Sequence, residues 1–276
     1  MPLLAVNDVE LDYEAVGDGL PLVFSHEFGG DRHSWAPQIN YFARWYHCVA
    51  YSHRGFPQSS VPESPAAYSQ EQLVDDLRAL LARLGVDQAH FVGLSLGGNV
   101  VLNLALGHPE LCRSVVVAGT GSGTVDRARW ERDMAGNVAT LMSQGMAAFV
   151  DRYAAGPTRV QLRRKDPTGY AEFRHAFTRH SALGSALMIQ GVMLRRPTIF
   201  ALEERLKQLR VPTLLVVGDE DEPCLEPALF MKRHIRDAGL VVLPRTGHTV
   251  NLEEPQLFNR VVGDFLHTVE LGRWVS

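Results

Sequence analysis

The chain has 276 residues, of which 46% are apolar and 21% are charged, and its formal net charge is -4 at pH 7. This composition is typical of a folded globular protein and excludes an intrinsically disordered chain. Lys and Arg are scattered along the sequence, which argues against nucleic acid or an anionic membrane surface as a partner.

The cysteines and the apolar segments indicate the cellular setting. Cys48, Cys112 and Cys224 form no metal-ligand spacing, and no basic-then-apolar signal segment opens the chain. The longest apolar stretches span about six residues, well short of the roughly 20 needed to cross a bilayer. We therefore expect a cytoplasmic protein with a small-molecule substrate and neither a nucleic-acid nor a membrane partner; a homodimer stays open.

Short β-rich apolar segments alternate with amphipathic helical segments along the chain. This alternation predicts an α/β fold with a mostly parallel central sheet flanked by helices. Several of the apolar segments are apolar on both faces, as buried parallel strands are. The predicted strands are 9–16, 22–26, 48–52, 90–94, 114–119, 213–218 and 240–244.

Two amphipathic helices are predicted to cover this sheet. Ser69 and Gln72 have the spacing of a capping box at the start of the first helix, which ends at Gly85. The last helix, near 255–268, carries one apolar face, and Pro255 suits its first turn.

Between Gly123 and Arg210 the alternation stops, and the sequence is typical of consecutive helices without a strand. We therefore predict a helical insertion over 124–210 and a core formed by 1–123 and 211–276. The insertion is rich in methionine and aromatic residues, which form either ordinary helix core or an adaptable apolar pocket. These residues are Met134, Met142, Met146, Met188, Met193, Phe149, Tyr153, Tyr170, Phe173 and Phe177.

The strongest chemical signal is FVGLSLGGNVV at 91–101, in which Gly93, Ser95 and Gly97 fit the pattern G-x-S-x-G. The pattern lies between an apolar strand and a helix that begins near Leu96, as a nucleophile on a strand-to-helix turn requires. Residues two before and two after such a serine must lack side chains so that the strand and the helix can approach. The turn leaves the hydroxyl at a helix N-terminus, which favours a developing oxyanion. Ser95 is therefore the predicted nucleophile.

A serine nucleophile needs a histidine base, and the histidine needs a carboxylate that fixes its tautomer and stabilises its charged form. The predicted strand at 213–218 is followed by acidic residues, and the strand at 240–244 is followed by His248. The order serine, acid, histidine is the order of the α/β-hydrolase fold. Over nearly its whole length the chain resembles the α/β-hydrolase superfamily, as a serine hydrolase with a helical cap.

The resemblance implies the identity of the acid and the histidine. In this family the acid typically lies three residues beyond the glycine that closes its strand. Asp221 has this position after Gly218, with Asp219 and Glu220 as nearby alternatives. His248, in TGHTVNLEEP, matches the family's histidine loop and completes the implied triad with Ser95 and Asp221.

SHEFGG at 25–30 occupies the position of the family's His-Gly-x motif, whose third residue donates its backbone N–H to the oxyanion hole. The resemblance therefore implies that Phe28 is one donor and that Leu96, which follows the nucleophile, is the other. It also implies that His26 bonds to backbone and does not act on the substrate.

Glu27 departs from the family, which usually has glycine at this position. We expect dihedral angles open to an L-residue, and a side chain that points away from the oxyanion, because a like charge there would oppose catalysis. A second departure is Tyr51, which opens YSHRGFPQSS where the family usually has aspartate. We expect Glu27 to pair with Arg32 or Arg54, and in the second case to replace the missing acid.

These features predict a hydrolase of a small or medium carboxylic ester, thioester or lactone, in which 124–210 forms a cap that sets substrate shape. Hydrolysis of a carbon–carbon bond in a ring-cleavage product is the chief alternative, although Thr249 follows the histidine where many such enzymes carry tryptophan. Ser95 argues against epoxide hydrolases and haloalkane dehalogenases, which use an aspartate nucleophile. Cofactor-free haloperoxidase or oxygenase chemistry stays open, as does a non-catalytic small-molecule receptor of the same fold.

No cofactor and no metal are implied by the sequence. The other histidines show no metal-like spacing such as H-E-x-x-H. The glycine-rich segments GDGLP, FGGDR and GTGSGT match neither G-x-G-x-x-G nor a P-loop followed by a helix.

Overall fold

The computed structural model describes residues 2–274 and contains a mostly parallel, eight-stranded sheet. Its strand order is β1-β2-β4-β3-β5-β6-β7-β8, in which β2 pairs antiparallel with β1 and β4, and the other pairs are parallel. The strands are β1 Leu3–Val6, β2 Val9–Val16, β3 Leu20–Ser25, β4 Tyr46–Tyr51, β5 Ala89–Leu94, β6 Cys112–Ala118, β7 Thr213–Gly218 and β8 Ala238–Leu243.

All seven predicted strands are confirmed, and the predicted α/β class is correct. The prediction did not include β1, a short edge strand in which two of the four residues are exposed and which, among residues 2–274, pairs only with β2. A four-residue strand with so little burial carries too weak an apolar signal to be recognised by its pattern.

Eleven α-helices surround the sheet in the described part of the chain. At the start of α2, the Ser69 hydroxyl accepts from the Gln72 amide, but the Gln72 side chain donates to Asp76, so only half of the expected capping box forms. The helices are α1 Ala36–Phe42, α2 Gln70–Arg83, α3 Leu96–Gly107, α4 Arg127–Ala154, α5 Val160–Lys165, α6 Pro167–Thr178, α7 Ala182–Met188, α8 Glu203–Gln208, α9 Glu222–His234, α10 Val250–Glu253 and α11 Pro255–Glu270. None of the helices within 2–274 is both long and apolar enough to cross a bilayer.

The core has two layers because alternate residues of each central strand point to opposite faces of the sheet. One face packs against α2, α3 and the helices between β6 and β7, and the other packs against α1 and α11. The strand residues of the first face include Val23, Phe91, Val115 and Leu215, and those of the second include Phe24, Val92, Val116 and Val216.

The segment between β6 and β7 contains helices α4 to α8 and no strand within the described residues. Gly145, with φ 80° and ψ -176°, breaks α4 into two helical parts, and a π-helical stretch over Ile189–Met193 follows α7. The methionines of the segment between β6 and β7 are not all core residues, because Met142 is 60% exposed. The other four are buried, as are Phe149, Phe173 and Phe177.

Candidate active site

Ser95 lies between the end of β5 and the start of α3, and its backbone is strained. Its dihedral angles are φ 55° and ψ -106°, a region that residues with a side chain rarely adopt. The Ser95 amide donates to the carbonyl of Ala118, at the end of the neighbouring strand β6, at 2.8 Å. This turn exposes a serine at a helix N-terminus, as the sequence pattern predicts.

The glycines on either side of Ser95 allow this turn because there is no room for side chains. A Cβ atom on Gly97 would lie 2.0 Å from the carbonyl oxygen of Ser25, and one on Gly93 would lie 2.3 Å from that of Gly97. Real Cβ atoms do not approach backbone so closely. The G-x-S-x-G pattern is therefore a packing requirement between β3, β5 and α3.

Asp221 and His248 follow β7 and β8, at the same edge of the sheet as Ser95. His248 Nδ1 and Asp221 Oδ2 are 2.7 Å apart, and both residues are buried. A Cβ atom on Gly119 would lie 3.4 Å from Asp221 Oδ2 and 3.1 Å from the side chain of Leu94, which precedes the serine. Parallel strands bring their carboxyl ends to one edge, and the fold thereby places the acid and histidine beside the nucleophile turn.

The electrostatics of the Asp221–His248 pair suit a charged acid and a basic imidazole. Burial alone would raise the pKa of Asp221, but attraction to His248 and their hydrogen bond lower it overall. Burial would lower the pKa of His248, yet the charge and hydrogen bond of Asp221 raise it above the ordinary value. Asp221 thus stabilises the imidazolium and fixes the proton of the neutral ring on Nδ1, which leaves Nε2 as the basic nitrogen.

The two alternative acids have other partners. The Asp219 carboxylate accepts from the Thr246 amide at 3.1 Å, and Glu220 accepts from the Gln161 side chain at 2.7 and 2.8 Å. Of the three acids in this loop, Asp221 is the one that contacts His248.

Two residues that were not predicted from the sequence hold the histidine loop in place. The Glu253 carboxylate accepts from the amides of Gly247 and Thr249 at 2.6 and 3.0 Å, and from the Thr249 hydroxyl at 2.9 Å. The carbonyl of Thr158, in the helical insertion, accepts from the His248 amide at 3.0 Å. Glu253 belongs to the E-x-P stretch that follows His248, and this motif could have identified it as a residue that supports the histidine loop. No local sequence pattern could have identified the contact with Thr158.

The loop after β3 meets the N-terminus of α3, which brings Phe28 and Leu96 to the same region. The Gly97 amide donates to the His26 carbonyl at 3.0 Å and thereby joins the two segments. Leu96 is the first residue of α3, so its amide has no acceptor within the helix. His26 bonds to backbone through both ring nitrogens: Nδ1 is 2.7 Å from the Glu27 carbonyl, and Nε2 accepts from the His53 amide at 3.0 Å.

The prediction that Glu27 pairs with Arg32 or Arg54 is wrong. Its carboxylate is buried and pairs with Arg159 of the helical insertion, with 2.5 Å between Glu27 Oε2 and Arg159 Nη2. Burial would raise the pKa of Glu27, but the charge of Arg159 lowers it overall, and His248 acts in the same direction. Glu27 is not among the positive-φ residues, so its backbone is unstrained, as expected.

The arginines proposed for Glu27 have carboxylate partners of their own. Arg32 pairs with Asp12 at 2.6 Å, and Arg54 pairs with Asp76 at 2.6 Å and with Asp8 at 2.9 Å. Asp76, on α2, therefore supplies the acid that Tyr51 does not.

Cys224 adds a third potential ligand atom beside the Asp221–His248 pair. One atom each from Asp221, Cys224 and His248 lie within 4.8 Å of one another. Burial and the neighbouring Asp221 charge raise the pKa of the Cys224 thiol well above its ordinary value, which keeps it protonated. The direct Asp221–His248 hydrogen bond accounts for the close approach of these two residues.

A mostly parallel sheet, a strained serine between β5 and α3, and an acid–histidine pair after β7 and β8 together define an α/β hydrolase. The chain also matches the family model described as alpha/beta hydrolase fold over residues 21–255. The chain belongs to this family.

Known proteins of similar sequence and structure agree. 3-oxoadipate enol-lactonase 2 of Acinetobacter baylyi is 29% identical over 262 residues, 94% of each chain. The putative carbamate hydrolase RutD of Pseudomonas syringae pv. syringae is 29% identical over 255 residues, 91% of this chain and 95% of its own. The crystal structure of the enol-lactonase from Burkholderia xenovorans LB400 has a TM-score of 0.85 at 26% identity, and the match covers 96% of this chain and all of that one.

Proposed function

We propose that this protein is a serine hydrolase that cleaves a small or medium carboxylic ester, thioester or lactone through an acyl-enzyme. Ser95 is the nucleophile, His248 the general base and acid, and Asp221 the residue that orients His248. The observation that carries this proposal is the 2.7 Å Asp221–His248 hydrogen bond at the sheet edge that also holds the strained Ser95.

The proposed reaction begins when the Ser95 hydroxyl attacks the substrate carbonyl carbon and passes its proton to His248 Nε2. Asp221 stabilises the imidazolium, which then protonates the leaving oxygen or sulfur as the tetrahedral intermediate collapses. Water, deprotonated by His248, attacks the acyl-enzyme, and His248 then returns that proton to the Ser95 oxygen as the bond to the acyl group breaks and the acid is released. With a lactone the acid and the alcohol remain in one molecule, a hydroxy acid. With an enol lactone the product is an enol that converts to a keto acid.

The backbone amides of Phe28 and Leu96 are the proposed donors to the oxyanion. Their segments are joined by the Gly97–His26 hydrogen bond, and the dipole of α3 adds to the stabilisation of negative charge. In other enzymes the loss of one such donor raises the barrier by roughly 2.7 to 4 kcal/mol. We further propose that the insertion at 124–210 acts as a cap that shapes the substrate pocket.

The known activities of the relatives favour an ester or lactone as the bond that is cleaved. Two of the three relatives named above are enol-lactonases, a name that denotes opening of a cyclic ester. Both matches extend over more than nine tenths of this chain, so the resemblance includes the insertion as well as the core.

A survey of hydrolysis rates tests the proposal. Nitrophenyl esters of increasing acyl length, a set of lactones and a set of vinylogous diketone acids are compared, with Ser95→Ala as the blank. We expect Ser95-dependent hydrolysis of esters or lactones. Wild-type rates in Ser95→Ala would contradict the mechanism, and turnover of the diketone acids alone would replace it with carbon–carbon bond hydrolysis.

A further inference from the structure

Arg196 stands out among the buried arginines of residues 2–274. Arg196 is only 8% exposed, yet no carboxylate among residues 2–274 lies within ion-pair distance of it. The other three buried arginines are all neutralised, Arg32 by Asp12, Arg54 by Asp76 and Arg159 by Glu27.

The hydrogen bonds of Arg196 do not compensate for its burial. Nη2 donates to the Ser122 carbonyl at a long 3.4 Å, and Nη1 is buried with no acceptor. A buried charge without a partner is costly, and a buried N–H without an acceptor adds to that cost. Burial lowers the pKa of Arg196 to about 10, so burial destabilises the charged form, but the side chain still carries its positive charge at neutral pH.

Arg196 lies next to the proposed active site on its acid side. The residue that it contacts, Ser122, has its hydroxyl 3.3 Å from the Cys224 sulfur. That sulfur lies within 4.8 Å of the ligand atoms of Asp221 and His248. Ser122 and Cys224 therefore connect the guanidinium to the Asp221–His248 pair.

Tyr153 lies near both Arg196 and the loop after β3. It is close enough to raise the pKa of Arg196 slightly, and its ring centroid is 5.9 Å from that of Phe28. The backbone amide of Phe28 is one of the proposed oxyanion donors.

We propose that Arg196 binds a carboxylate group of the substrate, so that the preferred substrate is an ester or lactone that carries a carboxylate a few bonds from the scissile carbonyl. This inference rests on the proposed hydrolase function and narrows its substrate class. A carboxylate would supply the missing counter-charge and an acceptor for Nη1, and a guanidinium offers it paired N–H donors.

Matched pairs of esters test this inference. The mono-4-nitrophenyl esters of succinate, glutarate and adipate are compared with their neutral primary-amide analogues, and Ser95→Ala subtracts spontaneous hydrolysis. We expect kcat/KM of the wild type to be roughly tenfold to a hundredfold higher for at least one charged ester than for its amide, mainly through KM. Equal values for every pair would overturn the inference, while Ser95-dependent hydrolysis of the neutral esters would leave the proposed function intact.

Arg195 provides a matched control because it is exposed and adjacent in sequence. The ratio of kcat/KM for a charged ester to kcat/KM for its neutral amide analogue measures the preference. In Arg196→Gln this ratio should fall at least about tenfold, whereas Arg195→Gln should keep the wild-type ratio. Arg196→Lys, which retains the charge but not the planar donors, should keep part of the preference. An unchanged ratio in Arg196→Gln would refute the role of Arg196.

A binding measurement on the wild type tests the inference without relying on catalysis or on the folding of a variant. Calorimetric titration of the wild type with glutarate should show binding that the neutral diamide of glutarate does not. If no ester is hydrolysed but glutarate binds and Arg196→Gln weakens it, the hydrolase proposal fails and the carboxylate site stands. No glutarate binding to the folded wild type would contradict the site.

Discussion

The buried ion pair between Glu27 and Arg159 provides the sharpest test of how the helical segment between β6 and β7 is held against the loop after β3. Their side chains are 3% and 1% exposed, so neither charge is solvated. Glu27→Gln keeps the shape of the side chain but leaves the Arg159 charge buried without a counter-charge. Breaking such a pair costs about 3 to 5 kcal/mol, and we expect the free energy of unfolding to fall by this amount.

The same substitution should shift the pH dependence of activity. The negative charge of Glu27 raises the pKa of His248, so its removal lowers that pKa, and the buried Arg159 charge that remains acts in the same direction. Because the base must be neutral to accept a proton, the acidic limb of the kcat/KM profile should move to lower pH.

Urea denaturation and a pH–rate profile measure the two effects. Glu254→Gln is the control, since it breaks the partly exposed pair with Lys165, and such pairs contribute at most about 1 kcal/mol. The double variant Glu27→Gln/Arg159→Met should regain most of the lost stability, because no unpaired charge stays buried. A loss below about 1 kcal/mol in Glu27→Gln, or an acidic limb that moves to higher pH, would refute this reasoning.

Three further predictions concern the triad, the nucleophile turn and the buried histidines. Asp221→Asn should lower kcat about 10⁴-fold, because the amide stabilises the wrong tautomer of His248; a stopped assay with a nitrophenyl ester measures it, and an effect of less than tenfold would contradict the role of Asp221. Gly97→Ala should cost about 3 kcal/mol or more, because its Cβ would lie 2.0 Å from the Ser25 carbonyl oxygen. Gly136→Ala, at a helical site with open space, should stabilise the protein by up to about 1 kcal/mol, and equal unfolding midpoints for the two variants would contradict the packing argument. Burial lowers the pKa of four histidines below the unfolded value of about 6.5, so the stability linked to them is present above that pH and is lost as the pH falls, by about 1.4 kcal/mol per pH unit for each proton. Denaturation curves between pH 7.5 and 5 check this expectation, which a pH-independent midpoint would contradict. The histidines are His26, His53, His90 and His180.

The fold and the arrangement of Ser95, Asp221 and His248 could be predicted because both depend on local pattern. Buried parallel strands are apolar on both faces, and their carboxyl ends meet at one edge, so residues just after β5, β7 and β8 are neighbours whatever the intervening sequence. The choice of Asp221 over its neighbouring acids came from the resemblance to the α/β-hydrolase family, in which the acid lies three residues after such a glycine, and its hydrogen bond to His248 agrees with that choice.

The partner of Glu27 could not be predicted because it depends on packing between distant segments. Glu27 and Arg159 are 132 residues apart, and no periodicity relates the loop after β3 to the short turn before α5. Arg32 and Arg54 were closer in sequence, but β2 and α2 supply acids that already neutralise them. The lack of a carboxylate partner for Arg196 among residues 2–274 is likewise visible only in three dimensions.

Covalent labelling of Ser95 tests the central claim most directly. The folded wild type is incubated with a fluorophosphonate, digested, and the adduct is located by tandem mass spectrometry, with Ser95→Ala and heat-unfolded protein as controls. An activated serine at the end of β5 should carry the adduct at Ser95 in the folded wild type and in neither control. An unlabelled Ser95 in protein shown to be folded, or an adduct on another residue, would contradict a serine hydrolase and favour a binding role for the same fold.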